Sequence, residues 1–152
     1  MSLVLFLDFD GVLHPLHCHE SRHFSNLELF EQSVRSINDL QIVVSSTWRL
    51  SRSLEQLRER FSQDVAKRIV GCCPPFRSLS DVPPSLVGYE REAECRAWLR
   101  ANAAPWTLWL AVDDSPWLFR PFSKNLLVLN KRTGLDAAAC VELRRRLNGV
   151  SP

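Results

Sequence analysis

Apolar positions in this chain fall into blocks, and the spacing inside each block changes from one block to the next. Leu3-Val-Leu-Phe-Leu7 is an unbroken apolar run that stops at Asp8. Such a run, without the every-second-residue alternation of a half-exposed strand, predicts a strand buried on both faces, as in a parallel sheet. The same reading predicts strands in Gln41-Ile-Val-Val44, in Arg68-Ile-Val-Gly-Cys72, in 106–112 and in Leu126-Leu-Val-Leu129. Between the runs the spacing turns helical. Leu27, Phe30, Val34, Ile37 and Gln41 trace one helical face, apolar until its last member, and Ser25 with Glu28 predicts a capping box at its start. Leu50, Leu54, Leu57 and Phe61 predict a second helix, and Cys95, Trp98, Leu99 and Asn102 a third. A last helix is predicted from Asp136, with Arg144, Arg145 and Arg146 as a solvated basic end that complements its dipole. Strand and helix alternate throughout, which is the pattern of a sheet built from βαβ units. The expected fold is α/β: a single Rossmann-like three-layer α/β/α domain over residues 1–152, with a mainly parallel five-stranded sheet. No repeat, low-complexity tract or linker divides it.

Composition narrows the picture only a little. The 152 residues suffice for one substantial core. A net charge of +2 is too small to argue for general polyanion binding, and 45% hydrophobic with 24% charged residues is ordinary for a globular protein. No apolar run approaches a membrane span, and the first residues lack the basic start of a signal peptide. Five cysteines, an odd number with no Cys-x-x-Cys pair, point to a reducing compartment, so a cytoplasmic location is expected.

The chemistry sits where the strands end. Asp8-Phe-Asp10-Gly11 follows the first strand, Ser45-Ser46-Thr47 the second, and Asp113-Asp114-Ser-Pro the fourth. Two carboxylates at the end of a buried strand are costly, because each is desolvated beside a like charge, and a nearby cation relieves that cost. Gly11 permits a sharp turn and a close backbone approach. In open α/β sheets ligands bind outside the carboxyl ends of the strands, so the three clusters are expected to converge on one edge. A hard divalent cation, Mg²⁺, beside a carboxylate nucleophile is the simplest chemistry that uses them.

These residues resemble the haloacid dehalogenase superfamily of phosphohydrolases. Asp8-Phe-Asp10-Gly-Val matches its first motif, the hydroxyl ending Ile42-Val-Val-Ser-Ser46 its second, and Val112-Asp113-Asp114 its fourth. The basic third-motif residue is best matched by Arg91, an arginine where lysine is commoner, with Lys67, Arg96 and Lys124 as substitutes. Ser-Thr-Trp-Arg49, the helix start Tyr89-Glu-Arg-Glu-Ala-Glu94, Asp-Asp-Ser-Pro116 and Thr133-Gly-Leu-Asp136 resemble one branch, the domain of Swiss Army Knife RNA-repair proteins and their stand-alone relatives.

The resemblance implies a Mg²⁺-dependent phosphatase working through an aspartyl-phosphate. Asp8 is the implied nucleophile and Asp10 the acid–base. Ser46, or Ser45, and Arg91 would hold the phosphate. Metal ligands would be Asp8, the carbonyl of Asp10, and Asp114 directly, with Asp113 acting through water or a second bond. The 35 residues between Asp10 and Ser46 and the 44 between Ser46 and Arg91 cannot hold a cap domain of the kind many relatives carry, so an open site is expected. An open site admits a phosphorylated RNA or DNA end or a nucleotide. Asp-Asp-Ser-Pro also resembles the motif of capless phosphatases acting on the polymerase tail, and a phosphate-recognition module without turnover is the non-enzymatic alternative.

Other clusters have plainer readings beside sharper ones. His14, His17, Cys18, His19 and His23 read either as a zinc site or as a polar flap at the pocket mouth, with His14 near enough to touch substrate. Pro74-Pro75 and Pro83-Pro84 stiffen a loop before Arg91. Trp117, Phe119 and Phe122 read as packing under the sheet edge or as a stacking platform, and Arg49 as a possible phosphate clamp.

Overall fold

The computed structural model describes residues 2–150. Five apolar runs form one all-parallel sheet: β1 (Leu3–Leu7), β2 (Leu40–Val44), β3 (Ile69–Cys72), β4 (Leu108–Asp113) and β5 (Leu126–Val128). Their order across the sheet is β3-β2-β1-β4-β5, so β1 is central and its neighbours cover both its edges. All five residues of β1 are buried, as a run without alternation requires.

Because side chains alternate along a strand, the sheet feeds two separate cores. Leu3, Leu5, Leu7, Ile42, Val44, Leu110 and Val112 face α1 (Leu27–Val34) and α5 (Ala137–Val150), with Phe30, Val34, Leu143 and Leu147 completing that core. Val4, Phe6, Val43, Trp109 and Ala111 face the other way, where Cys95 and Trp98 of α4 (Glu90–Asn102) cover them. Phe6 meets both Trp98 and Trp109 edge-on, at centroid distances of 6.0 and 5.7 Å. The architecture is therefore the expected three-layer α/β/α.

Several local expectations are corrected. Asn26, not Ser25, begins α1, and no side chain caps it, so the predicted capping box is absent. Asn26 instead donates its amide to the carbonyls of Val12 and Thr133, tying the helix start to two loops. Gln41 lies inside β2, because α1 stops at Val34. The predicted helix over Leu50–Phe61 is broken: Thr47–Leu50 is a 3-10 turn, and α2 (Leu54–Arg58) starts afresh at Ser53. A capping box between Ser53 and Gln56 supplies that start, because local side-chain bonds outcompete continuation of the turn. A one-turn α3 (Gln63–Ala66) follows. The arginines at 144–146 lie within α5 rather than at its end: Arg145 and Arg146 pair with Glu142, and Arg146 also bonds the Leu126 carbonyl. The stretch from Asp10 to Ser46 holds one 3-10 turn, α1 and β2, and that from Ser46 to Arg91 holds only short helical turns and β3. Neither forms a cap.

Candidate active site

Strand register brings the site together. Leu7 of β1 is level with Val44 of β2 and Val112 of β4, so the next residues, Asp8, Ser45 and Asp113, stand side by side. Two backbone bonds extend the ladder past the strands: Asp8 N–H donates to Val112 at 3.3 Å, and Ser45 N–H to Leu7 at 3.0 Å. Asp8, Asp113 and Asp114 each offer a carboxylate oxygen within 4.8 Å of the others. Asp8 and Asp113 are buried and Asp114 is partly open.

The chain turns sharply at Gly11, whose φ of +75° favours glycine. A Cβ here would lie 2.2 Å from Asp114 Oδ2, so the missing side chain is what lets the first loop close on the second carboxylate pair.

Arg91 reaches this cluster from the first turn of α4. Its guanidinium donates to Asp113 Oδ2 at 2.9 Å and lies 3.7 Å from Asp8 Oδ1. Its Nε is buried without a hydrogen-bond partner, 3.4 Å from Glu94 Oε1. Of the proposed substitutes, Lys67 and Lys124 are exposed just before β3 and β5, at the opposite edge of the sheet. Arg96 is held by Glu92 at 2.8 Å.

Burial disfavours charge on this cluster. Desolvation, with Asp113 adding repulsion, pushes the Asp8 carboxyl well up despite Arg91. Asp113 is pushed up to about 6, again chiefly by burial, against the pull of Arg91. Asp8, Asp113, Asp114 and Glu94 face two guanidinium groups, Arg49 and Arg91, which leaves two negative charges over. Three oxygen donors without a histidine or thiol, and a charge deficit of two, fit a hard divalent cation. Asp113 already accepts from Arg91 and from the Ser115 N–H at 2.9 Å. Asp114 accepts only from the Ser115 hydroxyl, at 3.1 Å on Oδ1, and its Oδ2 faces Gly11.

Asp10 sits apart from the triad and is half exposed. His14 holds it at 2.7 Å, and the Trp48 indole N–H points at both its oxygens from 3.1 Å. The other nitrogen of His14 accepts from the Phe24 N–H, so Nε2 carries the proton and donates to Asp10. These bonds, the one from His14 first, hold the Asp10 carboxyl below its usual range.

Ser46 is fully buried, and its hydroxyl accepts from the Trp48 N–H at 3.3 Å, capping the 3-10 turn. Ser45 is equally buried on the adjoining position.

The other expectations divide. His14 is buried behind Asp10 rather than open to substrate, and its ring nitrogens are both engaged, so the histidine cluster does not form a zinc site around it. His23 stacks on His14 at 4.5 Å, as part of the flap. Arg49 is not a phosphate clamp: it donates to the carbonyls of Ser45, Ser46 and Cys73 and to Glu94 at 2.6 Å, locking the second motif to α4. Phe119 packs in the core, whereas Trp117 and Phe122 are exposed. Sequence reasoning missed Trp48 as a donor to Asp10 and Glu94 as the hub joining Arg49, Arg91 and the Phe76 N–H. A glutamate one turn after Arg91, on the buried side of a helix, was the available signal for Glu94.

Comparison with known proteins agrees with this geometry. The model of one family, described as the HAD domain in Swiss Army Knife RNA repair proteins, matches residues 4–140. No curated protein and no solved structure gives a significant match. No helix among the described residues is long and apolar enough to cross a membrane. A family match running from β1 into α5 takes in every strand that carries a site residue, and the chain belongs to the HAD domains of Swiss Army Knife RNA repair proteins.

Proposed function

We propose that this chain is a Mg²⁺-dependent phosphomonoesterase that works through an aspartyl-phosphate on Asp8, on nucleic-acid ends or nucleotides. The carrying observation is the buried triad of Asp8, Asp113 and Asp114, with Arg91 beside it and two negative charges left over. A buried carboxylate excess with one flanking arginine has a poor structural rationale, because each added like charge costs stability.

Mg²⁺ would be held by Asp8, the main-chain carbonyl of Asp10, and Asp114, and it would neutralise phosphoryl oxygens. Asp114 is favoured over Asp113 as the direct ligand because both oxygens of Asp113 already accept hydrogen bonds. Asp8 attacks phosphorus, and the leaving oxygen takes a proton from Asp10. Water then attacks the phosphoenzyme and gives its proton back to Asp10. In the free protein Asp10 is held as a carboxylate, the form the second step needs. The negative charge of an arriving phosphate raises its proton affinity for the first. Ser46, with Ser45 beside it, and Arg91 hold the non-bridging oxygens. Arg91 also screens Asp8 from the incoming anion.

The RNA repair context of the family supports a nucleic-acid end over a phosphoprotein. Turnover of p-nitrophenyl phosphate tests the enzyme reading: it should require Mg²⁺, vanish on exhaustive chelation and return when Mg²⁺ is restored. Activity undiminished by chelation would rule out the metal model, and no activity with any phosphomonoester would leave a recognition module.

A further inference from the structure

The wall behind Asp10 belongs to a second cavity that the reaction scheme does not use. Trp48 presents its N–H edge to Asp10, and its ring lines a cleft of about 370 Å³ together with His23, Phe24, Arg52, Gln56 and Arg60. The volume falls in the range of small-ligand sites. Aromatic rings meet here edge to face: Phe24 and Trp48 are 5.4 Å apart at 89°, and His23 and Trp48 5.5 Å apart. Arg52 lies over Trp48 at 4.1 Å and Arg60 over Phe24 at 5.0 Å.

Neither arginine has a carboxylate within salt-bridge distance among the described residues. What sets them apart from other arginines without an ion pair, such as Arg77 and Arg132, is that both lie over aromatic faces in one cleft. Two guanidinium groups laid over aromatic faces, neither ion-paired although Glu20 and Glu59 line the same cleft, are set for a ligand that is both planar and anionic. The aromatic and guanidinium planes can stack a base, and the guanidinium N–H fork can hold a phosphate. Glu59, on the same lining, supplies an acceptor for the amino edge of a base, whereas the Gln56 carbonyl already accepts from the Ser53 N–H at 2.8 Å.

Neither aspartate of the first motif lines the cleft, but the Trp48 ring joins it to Asp10, the residue that protonates the leaving oxygen, rather than to Asp8. We infer that it is the leaving-group subsite, where Trp48, Phe24, Arg52 and Arg60 hold a nucleotide unit whose base stacks and whose own phosphate pairs with the arginines. The inference rests on the phosphohydrolase reading for its orientation, but the cleft and its free cations are independent of it. Both a strand of RNA and a free nucleotide carry this chemistry.

Binding separates the possibilities, with turnover removed by Asp8→Asn in every arm. The probes are a short single-stranded oligoribonucleotide with a terminal phosphate, a nucleoside bisphosphate and a phosphoserine peptide, each titrated with Mg²⁺ present. Adding Arg52→Gln and Arg60→Gln should weaken oligoribonucleotide binding at least tenfold. The slope of log affinity against log salt should flatten by about 1.4, the value for two lost contacts on a single strand. An equal loss for the bisphosphate supports the subsite with a free nucleotide as its source. Oligoribonucleotide affinity that does not respond to the two substitutions overturns the inference. So does tighter binding of the phosphopeptide that is lost with them. Circular dichroism against the Asp8→Asn parent checks that the variants, which differ from it only at two exposed arginines, remain folded. Failure of p-nitrophenyl phosphate turnover in the parent protein would sink the enzyme reading while leaving this titration intact, so the two failures are told apart.

Discussion

At the scale of single residues, two aspartates separated by one residue have opposite environments, and that difference is the ground for the separate roles proposed for them. Asp8 is buried among like charges, and Asp10 is half exposed beneath His14 and Trp48. Asp8→Asn should abolish phosphoenzyme formation and turnover, read by trapping labelled phosphate on the protein. Asp10→Asn should leave metal binding largely intact, because its ligand there is a carbonyl, yet slow turnover by about 10²- to 10⁴-fold. In single-turnover phosphorylation the defect should shrink for p-nitrophenyl phosphate relative to an alkyl phosphate, since a good leaving group needs little protonation. Equal slowing of both would move the acid role away from Asp10. Gly11 is the third decisive residue. Gly11→Ala adds a Cβ 2.2 Å from Asp114 Oδ2 at a φ of +75°. It should raise the Mg²⁺ concentration for half-maximal activity at least tenfold. The backbone cost should be about 1–2 kcal/mol.

Between elements, the site depends on how α4 is fastened to the end of β2. Glu94 of α4 accepts from Arg49 at 2.6 Å and from the Phe76 N–H at 2.8 Å, and it lies beside Arg91. Arg49 in turn bonds the carbonyls of Ser45 and Ser46. One buried ion pair thus ties Ser45 and Ser46 at the end of β2 to the helix that carries Arg91. Arg49→Met removes the closer of the two guanidinium groups on buried Glu94, leaving Arg91 Nε at 3.4 Å, and should cost about 3–5 kcal/mol in urea unfolding. The double variant with Glu94→Gln should recover part of that loss, because that buried charge is gone. A loss of under about 1 kcal/mol from Arg49→Met would mean that solvent reaches the pair.

For the whole molecule, stability is coupled to metal and pH through the carboxylate cluster. Asp113 has a pKa of about 6 in the folded chain against 3.8 for a free side chain. A raised carboxyl pKa gives a contribution that is complete below the unfolded value and is lost as pH rises through the folded one. The metal-free protein should therefore lose stability between about pH 4 and 6 from this group, on the order of 3 kcal/mol. A divalent cation held by Asp8 and Asp114 would favour the charged form of the adjoining Asp113, so its benefit should grow across that window. Thermal unfolding with and without excess Mg²⁺ should show a larger rise in Tm at neutral pH than below the Asp113 pKa of about 6. A rise independent of pH would place the cation elsewhere.

Parallel strands, one core on each sheet face and three chemical clusters at strand ends were all legible in the chain. These features are continuous in sequence, and every parallel strand ends on the same edge of the sheet. The sequence by itself determined that Asp8, Ser45, Ser46, Asp113 and Asp114 would share an edge, because each directly follows an apolar run. It also indicated Arg91 through the helix that precedes β4. Only the tertiary structure decided what lies across the gaps between segments: that Trp48 bonds Asp10 across 38 positions, that Arg49 serves Glu94 rather than substrate, and that His14 stands behind the acid rather than before it. Those contacts depend on the direction of side chains leaving separate loops, which no periodicity encodes. The broken helix after Ser46 has a similar origin. Its leucines keep helical spacing, but Ser46 and Ser53 each cap a separate start, one of the 3-10 turn and one of α2.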